Sequence, residues 1–207
     1  MENKSRVDFL FPMPVYQIDD YFINADKQNK LVDECYKNPN KNHYGNVTSK
    51  DRYILNKDYM AEEKQYFSKQ VSIFAHDILL IKPTLKFNIT QSWLNINETD
   101  TSHHLHYHTN SFISGVYYLT DGPPITFYKK NDTMQNFDFD FKEMNGLNTH
   151  QVEAEIKKGR LILFPSVMAH EVKKNLNNET RISLSFNAFF KGTLHSDGTR
   201  STDLTIS

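Results

Sequence analysis

The chain has 207 residues, 38% of them hydrophobic and 13% aromatic, with 15 Phe and 11 Tyr. That is enough apolar material for one packed domain and excludes a disordered chain. Lys and Arg total 24 against 25 Asp and Glu, a net charge of -1, so no general attraction to nucleic acid or to an anionic membrane is expected. The single cysteine, Cys35, excludes a disulfide framework and a multi-thiolate metal site and fits a reducing compartment.

The N-terminal stretch has a short apolar patch broken by Pro12 and Pro14 and followed by acids, a poor signal peptide. No run approaches the ~20 apolar residues of a membrane span. The expectation is one cytoplasmic domain over 1–207, with a helical lead-in (1–84), a core (85–190) and a short tail (191–207).

Residues 26–37 carry Leu31, Val32 and Cys35 at helical spacing, and 60–80 place Phe67, Val71, Phe74, Ile78 and Leu79 on one stripe, so both segments predict helices. Residues 38–58, rich in turn formers, read as a long surface loop. From about residue 85 the period changes to two. Strands are predicted at 87–97, 104–108, 112–120, 124–129, 151–156, 160–165 and 180–190. Seven short strands behind a helical lead-in predict a mainly β domain with flanking helices, a Greek-key sandwich or jelly roll. Residues 130–150 read as an insertion over a pocket mouth, with Phe137, Asp138, Phe139 and Asp140 in a solvated loop.

In the last strand Ile182, Leu184, Phe186 and Ala188 alternate with Arg181, Ser183, Ser185 and Asn187. In 87–97, Gln91, Trp93, Asn95 and Asn97 alternate with Ser92, Leu94 and Ile96. Apolar faces packed on the helices would turn the polar faces into the sandwich, where several of them line a wet cavity.

Four of the nine histidines fall in the stretch His103-His104-Leu105-His106-Tyr107-His108. On a regular strand His104, His106 and His108 share a face, with His103 opposite. Neighbours on that face are ~6.5–7 Å apart, a span two imidazoles can close on one metal. Positions four apart are too distant, leaving 104/106 or 106/108 as the metal pair. His43, His76, His150 and His195 are scattered and read as surface or loop positions, and Trp93 as structural.

The ordered set Leu10-Phe11-Pro12-Met13-Pro14, Trp93-Leu94-Asn95, His106-x-His108 before Ser114-Gly115-Val116-Tyr117-Tyr118-Leu119, Phe164-Pro165-Ser166 before His170, and Arg181-Ile182-Ser183 resembles the 2-oxoglutarate/Fe(II)-dependent oxygenases. Within that class it is most similar to a small bacterial and phage family. The resemblance spans about residues 8–190. It implies a prolyl-hydroxylase-like double-stranded β-helix, a cupin-like jelly roll. It also implies an Fe(II)-dependent hydroxylase that consumes 2-oxoglutarate and O2 and releases succinate and CO2. If phage-encoded, the protein would act in the host cytoplasm.

By that resemblance His106, His108 and His170 are the metal ligands. Three protein ligands on one side of Fe(II) leave positions for a bidentate oxo acid and O2. Arg181 takes the remote carboxylate of 2-oxoglutarate through its planar fork. Ser183 adds a hydroxyl, Tyr118 a phenol, and Asn95 orients the chelating end. The chain departs from the common His-x-Asp or His-x-Glu pattern at His108: either a three-His site operates, its neutral imidazoles leaving a bound iron more positive, or His108 stands behind the metal and water completes the coordination. The remaining alternatives are a three-His cupin-type enzyme that uses no oxo acid (a thiol dioxygenase or isomerase) and a non-enzymatic ligand-binding jelly roll. Small molecules and peptides are the expected substrates.

Overall fold

The computed structural model describes residues 11–129, 139–194 and 204–207. Leu10, Phe137, Asp138 and His195 lie outside them. Among the described residues, twelve strands form two sheets. The larger sheet runs β1 (Tyr16–Ile18), β9 (Leu161–Pro165), β6 (Ile113–Tyr118), β11 (Arg181–Leu194), β4 (Lys86–Asn97), β3 (Val47–Ser49), β2 (Pro39–Lys41), and β12 (Leu204–Ile206) adds to the far end of β11. The smaller sheet runs β5 (His103–His106), β10 (Ala169–Val172), β7 (Ile125–Tyr128), β8 (Gln151–Ala154). From β4 to β11 the chain passes repeatedly between the two sheets, and every pairing within them is antiparallel. This is the double-stranded β-helix that the sequence led us to expect.

Helix α1 (Ala25–Lys37) begins at Asn24, whose side chain accepts from the Asp26 N–H at 2.7 Å, and buries Leu31 and Cys35. Helix α2 (Ala61–Ile73) buries Phe67 and Val71 and runs into a single π turn at 74–78. That turn ends the predicted stripe early: Phe74 is buried, whereas Ile78 is exposed. A helix register of ~3.6 residues does not survive a π turn.

The apolar face of β11 meets α2 as expected. Leu184, Phe186 and Ala188 share one buried cluster with Phe67, Val71 and Phe74, and the Phe67 and Phe186 rings stack at 5.3 Å. Gly115, paired with Phe186 across β6 and β11, lets that ring lie against the sheet. A Cβ at Gly115 would stand 2.2 Å from it. A second apolar cluster between the sheets, including Tyr118, Ile125, Phe127 and Phe164, closes part of the sandwich.

The 38–58 segment is not a surface loop. It contributes β2 and β3 to the large sheet, and Val47, Thr48, Ser49, Ile54 and Leu55 are buried. Two serine hydroxyls bind it to β4: Ser92 accepts from the Leu55 N–H at 2.8 Å, and Ser49 accepts from the Leu94 N–H at 3.0 Å. Three-residue strands carry too little alternation to be read from sequence. At the opposite edge, Arg160 donates to both oxygens of Asp19 at 2.7 and 2.9 Å. That contact fixes β1 to the start of β9 and holds the Asp19 carboxyl well below the usual carboxylate range.

Candidate active site

The polar faces of β4 and β11 point between the sheets, where a narrow cleft lies against the apolar cluster. Cross-strand pairing sets its layers. At the mouth, His170 pairs with His106 on one side and Phe127 on the other. One layer inward, Val172 pairs with His103. On the large sheet, Ser185 pairs with Trp93, Ser183 with Asn95 and Arg181 with Asn97, so Arg181 is the innermost of this row.

His106, His108 and His170 converge at the mouth, with ring nitrogens all within 4.8 Å of one another. Ligands bound to one metal at ~2 Å are ~3–4 Å apart, so a small inward movement of the rings suffices. His106 ends β5. His108 lies beyond that strand, held by its backbone N–H to the Ser166 carbonyl at 3.0 Å. Nδ1 of His106 donates to the His104 carbonyl at 2.7 Å, and Nδ1 of His170 to the Met168 carbonyl at 2.9 Å. Each bond leaves Nε2 as the lone-pair nitrogen, the tautomer a metal requires. Burial, with the neighbouring rings, pushes His170 down to about 3 and His108 to about 4, so the lone pairs are free at neutral pH.

At the inner end stands Arg181, 2% exposed. Its Nε donates to the Pro123 carbonyl at 3.2 Å and its Nη1 to the Asn97 Oδ1 at 3.5 Å. Among the described residues no carboxylate pairs with it, Glu179 included. Gly122 gives its stem room, since a Cβ there would stand 2.9 Å from both the Arg181 Cβ and Cγ. The guanidinium lies 5.1 Å from the Tyr118 ring centroid. The Tyr118 hydroxyl and the Asn97 Nδ2 are buried without hydrogen-bond partners. Burial pushes Tyr118 up to about 12 against the pull of Arg181.

Between the two ends, Ser183 is buried on the cleft wall. The Asn95 amide accepts from the Trp93 Nε1–H at 3.2 Å and donates to the Ser185 hydroxyl at 2.8 Å. All seven sequence-predicted site residues therefore face one inter-sheet space.

Two sequence expectations fail here. His104 is exposed and stacks on Tyr44 at 5.6 Å, whereas His103 lines the cleft with His106. The pairing of β5 with β10 shifts register between the His106 and His103 positions. Such a bulge puts residues three apart on one side. Asn97 at the inner end was also missed as a site residue; its place on the polar face of 87–97 was the available signal. His43 and His150 are exposed, as expected, and the half-buried His76 is taken up by the Ile81 carbonyl at 2.8 Å.

A jelly roll with three candidate metal ligands at the mouth of its inter-sheet cleft and a buried cation at the inner end resembles the non-haem iron oxygenases that use 2-oxoglutarate, with His108 where their common pattern has a carboxylate. The chain matches the family described as "Putative 2OG-Fe(II) oxygenase" over residues 91–187 and has the fold of the 2OG-Fe(II) oxygenases. It is an enzyme of that class, whose requirements are Fe(II), 2-oxoglutarate and O2. No curated protein matches it by sequence. Three solved structures share its fold. An oxidoreductase of the 2OG-Fe(II) oxygenase family from Burkholderia pseudomallei is 12% identical over 84% of each chain, with a TM-score of 0.58. A Pseudomonas putida prolyl-4-hydroxylase is 16% identical over 84% of this chain and 92% of its own, with a TM-score of 0.54. HygX from Streptomyces hygroscopicus, solved with nickel, 2-oxoglutarate and hygromycin B, is 9% identical over 85% of this chain and 82% of its own, with a TM-score of 0.55. Among the described residues no helix is long and apolar enough to cross a membrane.

Proposed function

We propose that this oxygenase hydroxylates a C–H bond of a small-molecule or peptide substrate, with the whole chain acting as one domain in the cytoplasm. His106, His108 and His170 hold Fe(II). Arg181 binds the remote carboxylate of 2-oxoglutarate, with Tyr118 and Ser183 as hydroxyl donors. Asn95, fixed by Trp93 and Ser185, presents its remaining amide N–H to the chelating end. Fe(II) with O2 supplies the oxidising power, and oxidative decarboxylation of the oxo acid leaves succinate and CO2.

The observation that carries this reading is Arg181. A buried charge without a counter-ion costs several kcal/mol, and a guanidinium with only neutral acceptors among the described residues, beside unsatisfied polar groups, fits an anionic ligand. A three-His enzyme without an oxo acid has no use for such a cation at the inner end of its cleft. The single buried thiol, Cys35, fits a reducing compartment.

The test is anaerobic titration of the Fe(II)-protein with 2-oxoglutarate, followed by the visible metal-to-ligand charge-transfer band. Arg181→Ala should keep its iron but bind 2-oxoglutarate about ten- to a hundredfold more weakly, since a charge-assisted contact is worth ~1.5–3 kcal/mol. Arg181→Lys should recover only part, because a point charge does not reproduce the fork. A wild type without the band, or an Arg181→Ala variant that titrates like it, overturns the assignment.

A further inference from the structure

The proposed ligand set and carboxylate anchor leave one cleft histidine without a task. We infer that His103 is a further co-substrate-binding residue, donating a ring N–H to the remote carboxylate of 2-oxoglutarate beside Arg181. This inference rests on the oxygenase reading above and deepens it.

Three observations carry it. The register shift in β5 turns His103 into the cleft, opposite Val172 and one layer inward of His106 and His170. A linear five-carbon diacid chelated at the mouth and anchored on Arg181 must pass that layer. Its ring lies nearly parallel to that of His106, with centroids 4.5 Å apart and planes at 16°, so it is oriented by packing. Unlike the rings of His106 and His170, it makes no hydrogen bond among the described residues.

The ring is held against His106 by stacking and shares the cleft wall with Arg181. A neutral imidazole has one N–H to give and one lone pair. Of the groups around it, only an incoming anion needs the donor. His103 also stands too far inward to complete the cluster formed by His106, His108 and His170, which alone among the described residues bring three ligand atoms together.

Two oxo acids separate this role from a structural one. 2-Oxoglutarate carries the remote carboxylate, whereas 2-oxobutyrate offers the chelating end alone. With the anaerobic Fe(II)-protein, His103→Ala should retain one iron per chain and bind 2-oxoglutarate about tenfold more weakly, with 2-oxobutyrate affinity unchanged. His103→Phe keeps an aromatic ring against His106 but no donor, and should bind 2-oxoglutarate as weakly as the alanine variant. His103→Gln retains an N–H and should recover most of the loss. The inference is overturned if His103→Phe binds 2-oxoglutarate like wild type. It is equally overturned if both acids weaken together in the variants, or if they lose the metal. A wild type that shows no 2-oxoglutarate band overturns the oxygenase reading as well, an outcome distinct from normal wild-type binding with indifferent His103 variants.

Discussion

Three imidazoles bring no negative charge to a bound divalent ion, whereas a His-x-Asp pair brings one. Position 108 can test whether its role is ligation, because a carboxylate oxygen is also a good ligand for Fe(II). After anaerobic reconstitution and desalting, His106→Ala and His170→Ala should lose their iron, while His108→Asp should keep one per chain, as should His150→Ala. Full iron in His170→Ala would remove the metal-site assignment. At this scale the sequence was informative where the backbone is regular. Arg181, Ser183 and Ser185 reach the cleft because β11 keeps strict alternation through them. His103 was misplaced because one irregularity in β5 exchanges the two faces. Parity counts residues, and a bulge adds one.

At the scale of elements, strand length decided what could be read. The long strands β4 and β11 show their period and were found. The four-residue β10, which carries His170, was missed, because it exists only through pairing with β5 on one side and β7 on the other. The β6 motif Ser114-Gly115-Val116 has a packing reason that sequence alone did not reveal: the space above Gly115 belongs to Phe186. Gly115→Ala should therefore destabilise the protein by about 1–3 kcal/mol, the usual cost of overpacking a core, read from the denaturation midpoint. Adding Phe186→Leu to that variant should cost less than Phe186→Leu costs alone in wild type, because the two side chains compete for one volume. Purely additive losses would mean that the strand, rather than the ring, resists the methyl group.

At the scale of the whole molecule, the proposed metal and oxo acid would bridge the two ends of the cleft, so their binding should add to global stability. A ligand that binds only the folded state at a hundredfold excess over its Kd contributes ~2.7 kcal/mol, about 5–10 °C in Tm for a chain of this size. Ni(II), which resists oxidation, should raise the Tm of the metal-free protein by that order. 2-Oxoglutarate should raise it further in wild type but hardly in Arg181→Ala. A second increment of equal size in the variant would show that the oxo acid does not reach Arg181. The sequence by itself determined the architecture and the polar character of the inter-sheet space, because long alternating strands fix which side chains share a face. It also supplied the residue types at both ends of the cleft. The tertiary structure alone decided that Arg181 has no counter-ion among the described residues, that 38–58 contributes to a sheet, and that His103 rather than His104 enters the site. Each of these depends on partners distant in sequence or on a local break in register, and neither leaves a periodic trace along the chain.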